Sequence, residues 1–328
     1  MVKFAVVITT HFFNDEMLGM FRRLQAEAPA DYDVFLAINR GKADRAAPEG
    51  TKVVAERLFI CNEASLMRLP YPDKCRPGGW SGTGWTLNPG NTDLIVLSFF
   101  LEHPDYDYYW GIEYDVHYEG NWSFLFERFE RSGADILGTT LYPAHLTPHK
   151  KLDNPIVDQA GKPVSPEAIT RGFYPIFRLS RRAAVALDEA YRAGWGGHYE
   201  MTWATIAERH GYAVEDIGGN GPYVQPHNSN VFYFNKLSTH TLSPGTFVFK
   251  PVFAKVPRRK NTLWHPVKPA GIFVWQHYRF ETNGNLAEKI FVKLKPAICR
   301  IVIWFWFSTQ WRRADRPTTD GLDCPLRQ

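Results

Sequence analysis

The chain has 328 residues, of which 45% are hydrophobic, so it is long enough to bury one large core or two modest ones. Its 4 cysteines are scattered and form no C-x-x-C pair, which argues against a zinc site or a disulfide framework and favours a reducing, cytoplasmic setting. The formal net charge is +4, but residues 250–313 carry 13 Lys/Arg against 2 Asp/Glu. Charge segregated in this way is typical of a surface for an anionic partner.

The first segment predicts a buried strand followed by a helix. Residues 4–10 form a near-continuous apolar run, the pattern of a strand covered on both faces, and this run is too short for a signal peptide. Asn14 is suited to cap a helix over residues 15–28. Nowhere does the chain reach the roughly 18 uninterrupted apolar residues that a membrane span needs.

Alternating strand and helix patterns continue along the chain and predict a parallel α/β sheet. The loop over residues 71–91 is rich in Gly, Pro and Trp, and a loop of this length in a compact domain is usually functional or mobile. Strands are predicted at residues 33–39, 52–60, 107–112, 135–141, 173–179 and 212–217. Helices are predicted at residues 92–103, 181–193 and about 198–210.

Two carboxylates follow the strand predicted at residues 107–112. Glu113 and Asp115 are separated by one residue, and because side chains alternate along a strand they point the same way. Two like charges side by side are unfavourable unless a positive charge lies between them. A hard divalent cation with oxygen ligands supplies that charge and commonly carries a phosphate. The alternative is a solvated turn with two unrelated acids.

The chain changes character near residue 245. Residues 1–245 are predicted to form the main domain, and residues 246–328 form a basic, aromatic C-terminal region. Residues 286–313 are predicted to be helical, with an apolar run at 297–307 flanked by Lys and Arg. That pattern is typical of a helix lying in the plane of a membrane surface. The alternative is a helix that packs on the core or on a second subunit.

A carboxylate pair at the end of a central strand lies where open α/β sheets bind ligands. The chain here resembles glycosyltransferases of the GT-A fold, and Glu113-Tyr114-Asp115 is similar to their D-x-D motif in an E-x-D form. It also resembles an uncharacterised family that shares an aromatic-x-x-E-Y-D segment. The resemblance covers residues 3–270, although only the E-x-D and its strand are specific. It implies a GT-A-like, Rossmann-like α/β fold, with a mixed, mostly parallel sheet flanked by helices and a basic helical extension at the C-terminus.

The resemblance also implies roles for individual residues. Asp115 would ligate a metal directly, and Glu113 would bind the metal or the ribose. Other residues would contact the nucleotide: at the first strand end Thr9, Thr10 and His11, and near the start of a later helix Asn91 and Asp93. Small polar residues end most strands, so an ordinary structural role is the alternative for each of them.

A second segment, residues 261–269, resembles the H-x-G-x-x-K-P segment of glycogenin-like transferases, although it lacks the Gly and differs in spacing. This likeness implies that His265 completes the metal shell and that Lys268 contacts the diphosphate. A neutral imidazole can add a ligand, and an ammonium group neutralises phosphate as a point charge. The alternative is a loop histidine that packs beside Trp264.

Glu200 is the candidate general base. It opens a predicted helix just after Gly196-Gly197, where flexible backbone lets an acceptor approach. An inverting transfer needs a carboxylate or histidine to deprotonate the acceptor hydroxyl, and Glu200 or His198 could do this. An acid in a first helical turn is also stabilised by the helix dipole without any catalytic role. A retaining mechanism without an enzymic base therefore stays open.

Together with the resemblance, these features imply an enzyme, a glycosyltransferase that depends on Mn²⁺ or Mg²⁺ and uses a nucleotide-diphosphate sugar, most readily a UDP-sugar. Its acceptor would be lipid-linked or a glycan precursor, at the cytoplasmic face of an anionic membrane with which the protein associates peripherally.

Two other classes remain open. A nucleotidyltransferase would also bind a nucleotide and a metal ion at this edge of the sheet. Against this class, the sequence after the first strand, Thr9-Thr10-His11-Phe12, lacks a Gly-rich signature with Lys or Arg. A nucleic-acid-binding protein could stack bases on the aromatics of the basic segment. No binding module is recognisable, however, and the apolar run suits lipid better, so no nucleic acid is expected.

Overall fold

The computed structural model describes residues 2–74, 92–146, 156–237, 241–250 and 252–268. They belong to one compact unit that ends at Lys268. Residues 246–268, which the sequence groups with the C-terminal region, lie in this same unit, and the predicted division at residue 245 stays a prediction. Most of the predicted loop, including Asn91, and the whole predicted basic helix lie outside the described residues.

Nine strands and six α-helices are present in the described part of the chain. The strands are β1 Phe4–Thr10, β2 Tyr32–Asn39, β3 Leu58–Cys61, β4 Tyr108–Glu113, β5 His117–Glu119, β6 Ile136–Pro143, β7 Thr170–Ser180, β8 Val214–Asp216 and β9 Thr262–Trp264. The helices are α1 Asp15–Glu27, α2 Glu63–Leu66, α3 Asp93–Glu102, α4 Trp122–Glu130, α5 Arg181–Arg192 and α6 Tyr199–Arg209.

Seven strands form one sheet in the order β3-β2-β1-β4-β7-β6-β8. Strand β1 lies between β2 and β4 and pairs in parallel with both, whereas β7 runs antiparallel to β4 and β6. Strands β5 and β9 form a separate antiparallel ribbon. The predicted fold class, a Rossmann-like mixed and mostly parallel sheet flanked by helices, is confirmed.

The alternation of β1 divides the core into two layers. Ala5 and Val7 pack with residues of α3, α5 and α6 on one face of the sheet. Phe4, Val6 and Ile8 pack with α1 and α4 on the other. Because helices cover both faces, successive apolar residues are all buried, as the continuous apolar run predicts.

The predicted cap of α1 is present, whereas the strand predicted at residues 52–60 is wrong over most of its length. The Asn14 side chain accepts a hydrogen bond from Met17 N at the start of α1. The strand predicted at residues 52–60 begins instead as a 3₁₀-helix, Thr51–Arg57, and only Leu58–Cys61 is a strand. Thr51 and Val54 are buried while Val53 is 63% exposed, a spacing of three that suits a 3₁₀ turn.

Among the described residues, no helix combines the length and apolar character needed to cross a membrane.

Candidate functional site

The two carboxylates stand where β4 ends. Glu113 is the last residue of β4 and pairs with Thr9 of β1. The amide of Tyr114 still donates to the Thr9 carbonyl, at 3.0 Å, and Val116 N donates to the Glu113 carbonyl in a tight turn. This turn sets Asp115 beside Glu113 at the carboxyl edge of the sheet, where such folds bind ligands.

The β5–β9 ribbon brings a distant segment to this edge. His117 of β5 pairs with Trp264 of β9, so Asp115 before β5 meets the residues that follow β9. The amide of Val267 donates to the Asp115 carbonyl at 2.8 Å. As a result His265, which is 150 positions further along the chain, lies directly over the two carboxylates.

Three candidate metal ligands converge at this point. His265 Nε2 lies 3.5 Å from Asp115 Oδ1 and 3.7 Å from Glu113 Oε2. One ligand atom from each of the three residues lies within 4.8 Å of the others. Lys268 Nζ lies 3.2 Å from the second oxygen, Asp115 Oδ2, so an ammonium group borders the cluster.

His265 is held in one orientation by its surroundings. Its Nδ1 lies 2.9 Å from the Val248 carbonyl, to which it donates, and its ring packs against Phe173 and Phe247 with centroids 5.3 Å apart in both cases. The hydrogen bond at Nδ1 leaves Nε2 to face the carboxylates. Metal-ligating histidines are oriented by this type of partner, which fixes the tautomer.

The charges of the cluster shift one another's pKa values strongly. Burial alone would raise the pKa of Asp115, but the adjacent His265 and Lys268 outweigh burial and lower this pKa to about 2. Burial would lower the pKa of His265, but Asp115 and Glu113 raise it to about 9. Burial raises the pKa of Glu113. In the metal-free protein His265 is therefore a cation that compensates the carboxylates at neutral pH.

The residues fit a divalent cation by two observations. Asp115 Oδ1 is buried and accepts no hydrogen bond among the described residues, and only the charge of His265, whose Nε2 lies 3.5 Å away, compensates it. Two carboxylates and one imidazole are a donor set that Mn²⁺ accepts, and the imidazole favours a transition-metal ion over Mg²⁺.

The predicted nucleotide contacts on β1 border this cluster. The His11 ring packs edge-on against Tyr114 at 5.1 Å between centroids, and Lys268 Nζ lies 5.3 Å from the same Tyr114 ring. Thr10 is turned inward, because its hydroxyl donates to the Phe12 carbonyl at 3.0 Å. Thr9 stands beside Glu113 in the sheet. Contact of these residues with a nucleotide stays a prediction.

Asp93, another predicted nucleotide contact, lies in a buried network. Its Oδ2 lies 2.8 Å from Lys74 Nζ, with both side chains fully buried, and accepts a hydrogen bond from the Tyr191 hydroxyl at 2.8 Å. Lys74 Nζ also donates to the Gly197 carbonyl at 3.1 Å. These contacts give Asp93 a structural role in the core. Contact of Asp93 with a nucleotide stays a prediction.

The two candidate bases open α6. His198 is the cap residue, and its Nδ1 accepts a hydrogen bond from Glu200 N at 3.2 Å. Its pKa is lowered by burial, so the neutral ring carries its proton on Nε2 and offers no free acceptor nitrogen. Glu200 is partly exposed and lies 3.4 Å from Arg171. The geometry thus favours Glu200 over His198 as a proton acceptor.

Tyr199 is a buried phenol at the start of α6. Burial raises its pKa well above the ordinary value, and the charges of Glu113 and Glu200 raise it further. Sequence reasoning did not single out Tyr199, Lys74 or Arg171. No local pattern marks them, because each depends on contacts between segments far apart in the chain.

Comparisons with known proteins identify no family. No family model matches the chain, and no curated protein matches it. Among solved structures, the chain is similar to the 4-diphosphocytidyl-2C-methyl-D-erythritol synthase of Anaerococcus prevotii, with a TM-score of 0.35 and 10% identity. That match covers 74% of this chain and 94% of the other. A likeness at this level does not identify a function.

Proposed function

We propose that the protein is a metal-dependent glycosyltransferase that takes its sugar from a nucleotide-diphosphate donor. The observation that carries the proposal is the convergence of Glu113, Asp115, His265 and Lys268 at the carboxyl edge of the sheet. Three of these residues offer ligand atoms for a cation, and the fourth offers a positive charge at the border of the cluster. This combination suits a diphosphate, which needs positive charge on several oxygens.

The departing group sets the main requirement of the reaction. When the bond between the anomeric carbon and the diphosphate breaks, the electron pair remains on the phosphate oxygen, and negative charge develops there. A divalent cation bound by Glu113, Asp115 and His265 would offset that charge. Lys268 adds a donor from the side of Asp115 Oδ2.

Glu200 is the residue proposed to activate the acceptor. As the acceptor oxygen bonds to the anomeric carbon, its hydroxyl proton passes to the Glu200 carboxylate. Arg171 pairs with this carboxylate at 3.4 Å at the start of α6. The outcome would be inversion at the anomeric carbon.

The acceptor is proposed to be a lipid-linked sugar or a glycan precursor at the cytoplasmic face of a membrane. The support is the excess of Lys and Arg over residues 250–313, which suits a peripheral contact with anionic lipid. A UDP-sugar is the first donor to test.

A thermal-shift panel tests the proposal. UDP-, GDP-, CMP- and dTDP-sugars are added with and without Mn²⁺ to the wild-type protein, to Asp115→Asn, and to the control Asp105→Asn, an exposed acid outside the site. We expect a Mn²⁺-dependent stabilisation by one donor class that Asp115→Asn loses and Asp105→Asn keeps. Nucleoside triphosphates are included because a nucleotidyltransferase would prefer them.

Absence of a metal-dependent shift with every sugar nucleotide would contradict the proposal. A shift with nucleoside triphosphates alone would replace it with nucleotidyl transfer.

A further inference from the structure

A basic cavity lies away from the metal cluster. It has a volume of about 550 Å³ and is broadly open to solvent, so it is a shallow depression rather than an enclosed cavity. Three of its lining residues are cationic and one is acidic. The lining residues are Arg23, Tyr118, Glu119, Gly120, Arg258 and Lys260.

The cations of the cavity differ in how they are held. Arg23 is fixed, since its Nε pairs with Glu27 at 2.9 Å and its guanidinium donates to the Gly120 carbonyl. Arg258 and Lys260 are exposed, and within the described ranges their side chains form no ion pair or hydrogen bond. Glu27 already neutralises Arg23, so Arg258 and Lys260 stand against one acid in the lining, Glu119. Glu119 contacts His117 Nε2 at 3.0 Å. The lining therefore keeps an excess of positive charge.

Two backbone segments, at Gly120 and Asn261, approach each other closely beside the cavity. Asn261 has a φ of 56°, a left-handed conformation that is uncommon outside glycine, and its amide donates to the Glu119 carbonyl at 2.7 Å. A Cβ on Gly120 would lie 2.8 Å from Asn261 Oδ1 and 2.8 Å from the Tyr118 ring. Glycine at this position lets the two chain segments approach, and the turn at Asn261 directs Lys260 to the cavity.

The cavity and the metal cluster are separate sites on one ribbon. In the β5–β9 pairing, His117 opposite Trp264 marks the end that carries Asp115 and His265, and Glu119 opposite Thr262 marks the other end. Asp115 lies in the turn before β5, whereas Glu119 is the last residue of this strand. No lining residue of the cavity belongs to the metal cluster.

We propose that this cavity binds a phosphate group, as a second anion site that does not depend on the metal. Arg23 would supply a pre-positioned guanidinium, and Arg258 and Lys260 would close on the phosphate oxygens through charge-assisted hydrogen bonds. The phosphate could belong to a soluble phosphate ester or to a lipid headgroup, because both present the same oxygens.

The test uses the full-length protein in EDTA, so that the metal cluster stays unloaded. Glycerol 3-phosphate is titrated by calorimetry, and phosphatidylglycerol vesicles are tested by flotation against phosphatidylcholine vesicles. The test variant is R258Q/K260Q. The matched control R22Q/K255Q removes the same charge from exposed residues outside the cavity. Asp115→Asn serves as a second control.

We expect saturable binding of at least one phosphate probe, weakened about tenfold or more in R258Q/K260Q and little changed in both controls. Binding of glycerol 3-phosphate indicates a soluble ester, and binding of phosphatidylglycerol vesicles alone indicates a headgroup. Binding that no probe saturates, or that R22Q/K255Q weakens equally, would overturn the proposal. So would loss in Asp115→Asn, since that places the ligand at the metal cluster. The glycosyltransferase proposal can fail without affecting these outcomes.

Discussion

His265 has two states that the same contacts explain. Without metal, Asp115 and Glu113 raise its pKa to about 9, and the protonated ring fills the gap between the carboxylates. With metal bound as proposed, the neutral ring would offer Nε2 as a ligand while Nδ1 continues to donate to Val248. The proton and the cation would therefore compete for one position.

This competition predicts a pH dependence of metal binding. Because the pKa of His265 is about 9 in the metal-free protein, Mn²⁺ must displace one proton at any lower pH. The affinity for Mn²⁺ should rise about tenfold per pH unit from pH 7 towards that pKa and then level off. Calorimetric titration at pH 7 and 8 measures it. An affinity that is equal at both values, or a slope that His265→Gln retains, would contradict this assignment.

Substitution of Glu200 can distinguish a catalytic base from an acid that only stabilises the start of a helix. Glu200→Gln should lower kcat about 10²- to 10⁴-fold and leave donor binding unchanged, because the amide cannot accept the acceptor proton. Glu16→Gln is the matched control, since Glu16 also lies in the first turn of a helix. Steady-state kinetics on both variants measures the effect. Equal losses of kcat in Glu200→Gln and Glu16→Gln would mean that Glu200 acts only through the helix dipole.

At the level of residues, sequence reasoning found the acids but not what organises them. Glu113, Asp115 and Glu200 stand out because strand ends and helix starts are readable from local patterns. Lys74, Tyr199 and Arg171 do not, because the contacts that define them connect segments separated by many residues. The buried ion pair of Lys74 with Asp93 is the clearest case.

Strand β4 packs very closely against its antiparallel neighbour β7 at one residue pair. Gly111 pairs with Phe177 of the antiparallel neighbour, and the Phe177 ring covers the glycine so closely that a Cβ would lie 2.1 Å from Cζ. Because residue 111 has no side chain, the Phe177 ring can occupy the space that a Cβ would take on the strand that ends in Glu113. Glycine in a strand often marks such a close approach.

Gly111→Ala should therefore destabilise the protein by about 1–3 kcal/mol, because the Phe177 ring or the strand must move. Gly133→Ala is the control, since a Cβ there meets nothing within 4 Å. Urea unfolding followed by circular dichroism measures both. Adding Phe177→Leu to Gly111→Ala should recover part of the loss. Equal stability of the two single variants would show that the crossing is not tight.

The elements differ in how far the sequence predicts them. Long apolar runs and caps predict β1, α1 and α5 well, since those signals are local. The sequence does not predict the short β5–β9 ribbon, because three-residue strands carry almost no pattern and these two pair across 143 or more positions. It is nevertheless the element that brings His265 to Asp115. The segment at residues 52–57 was assigned wrongly because Val and Ala fit a strand as well as a 3₁₀ turn.

At the scale of the whole molecule, the sequence predicts the fold class and the edge of the sheet that holds the site. Parallel strands end at one edge, so acids after β4 and polar residues after β1 must meet there. Composition alone does not predict that the basic residues near the C-terminus divide between two sites. Lys268 joins the metal cluster, whereas Arg258 and Lys260 line a different cavity on the same compact unit.

Glu113, Asp115 and His265 are proposed to hold one divalent cation. Titration of Mn²⁺ followed by electron paramagnetic resonance counts bound ions directly. We expect one ion per wild-type chain and the same for Asp105→Asn. In Asp115→Asn the affinity should fall about 100-fold or more, since loss of a direct ligand exceeds the 10- to 100-fold cost typical of outer partners. Equal Mn²⁺ affinity in Asp115→Asn and wild type, or no bound ion in the wild type, would contradict a metal site at these residues.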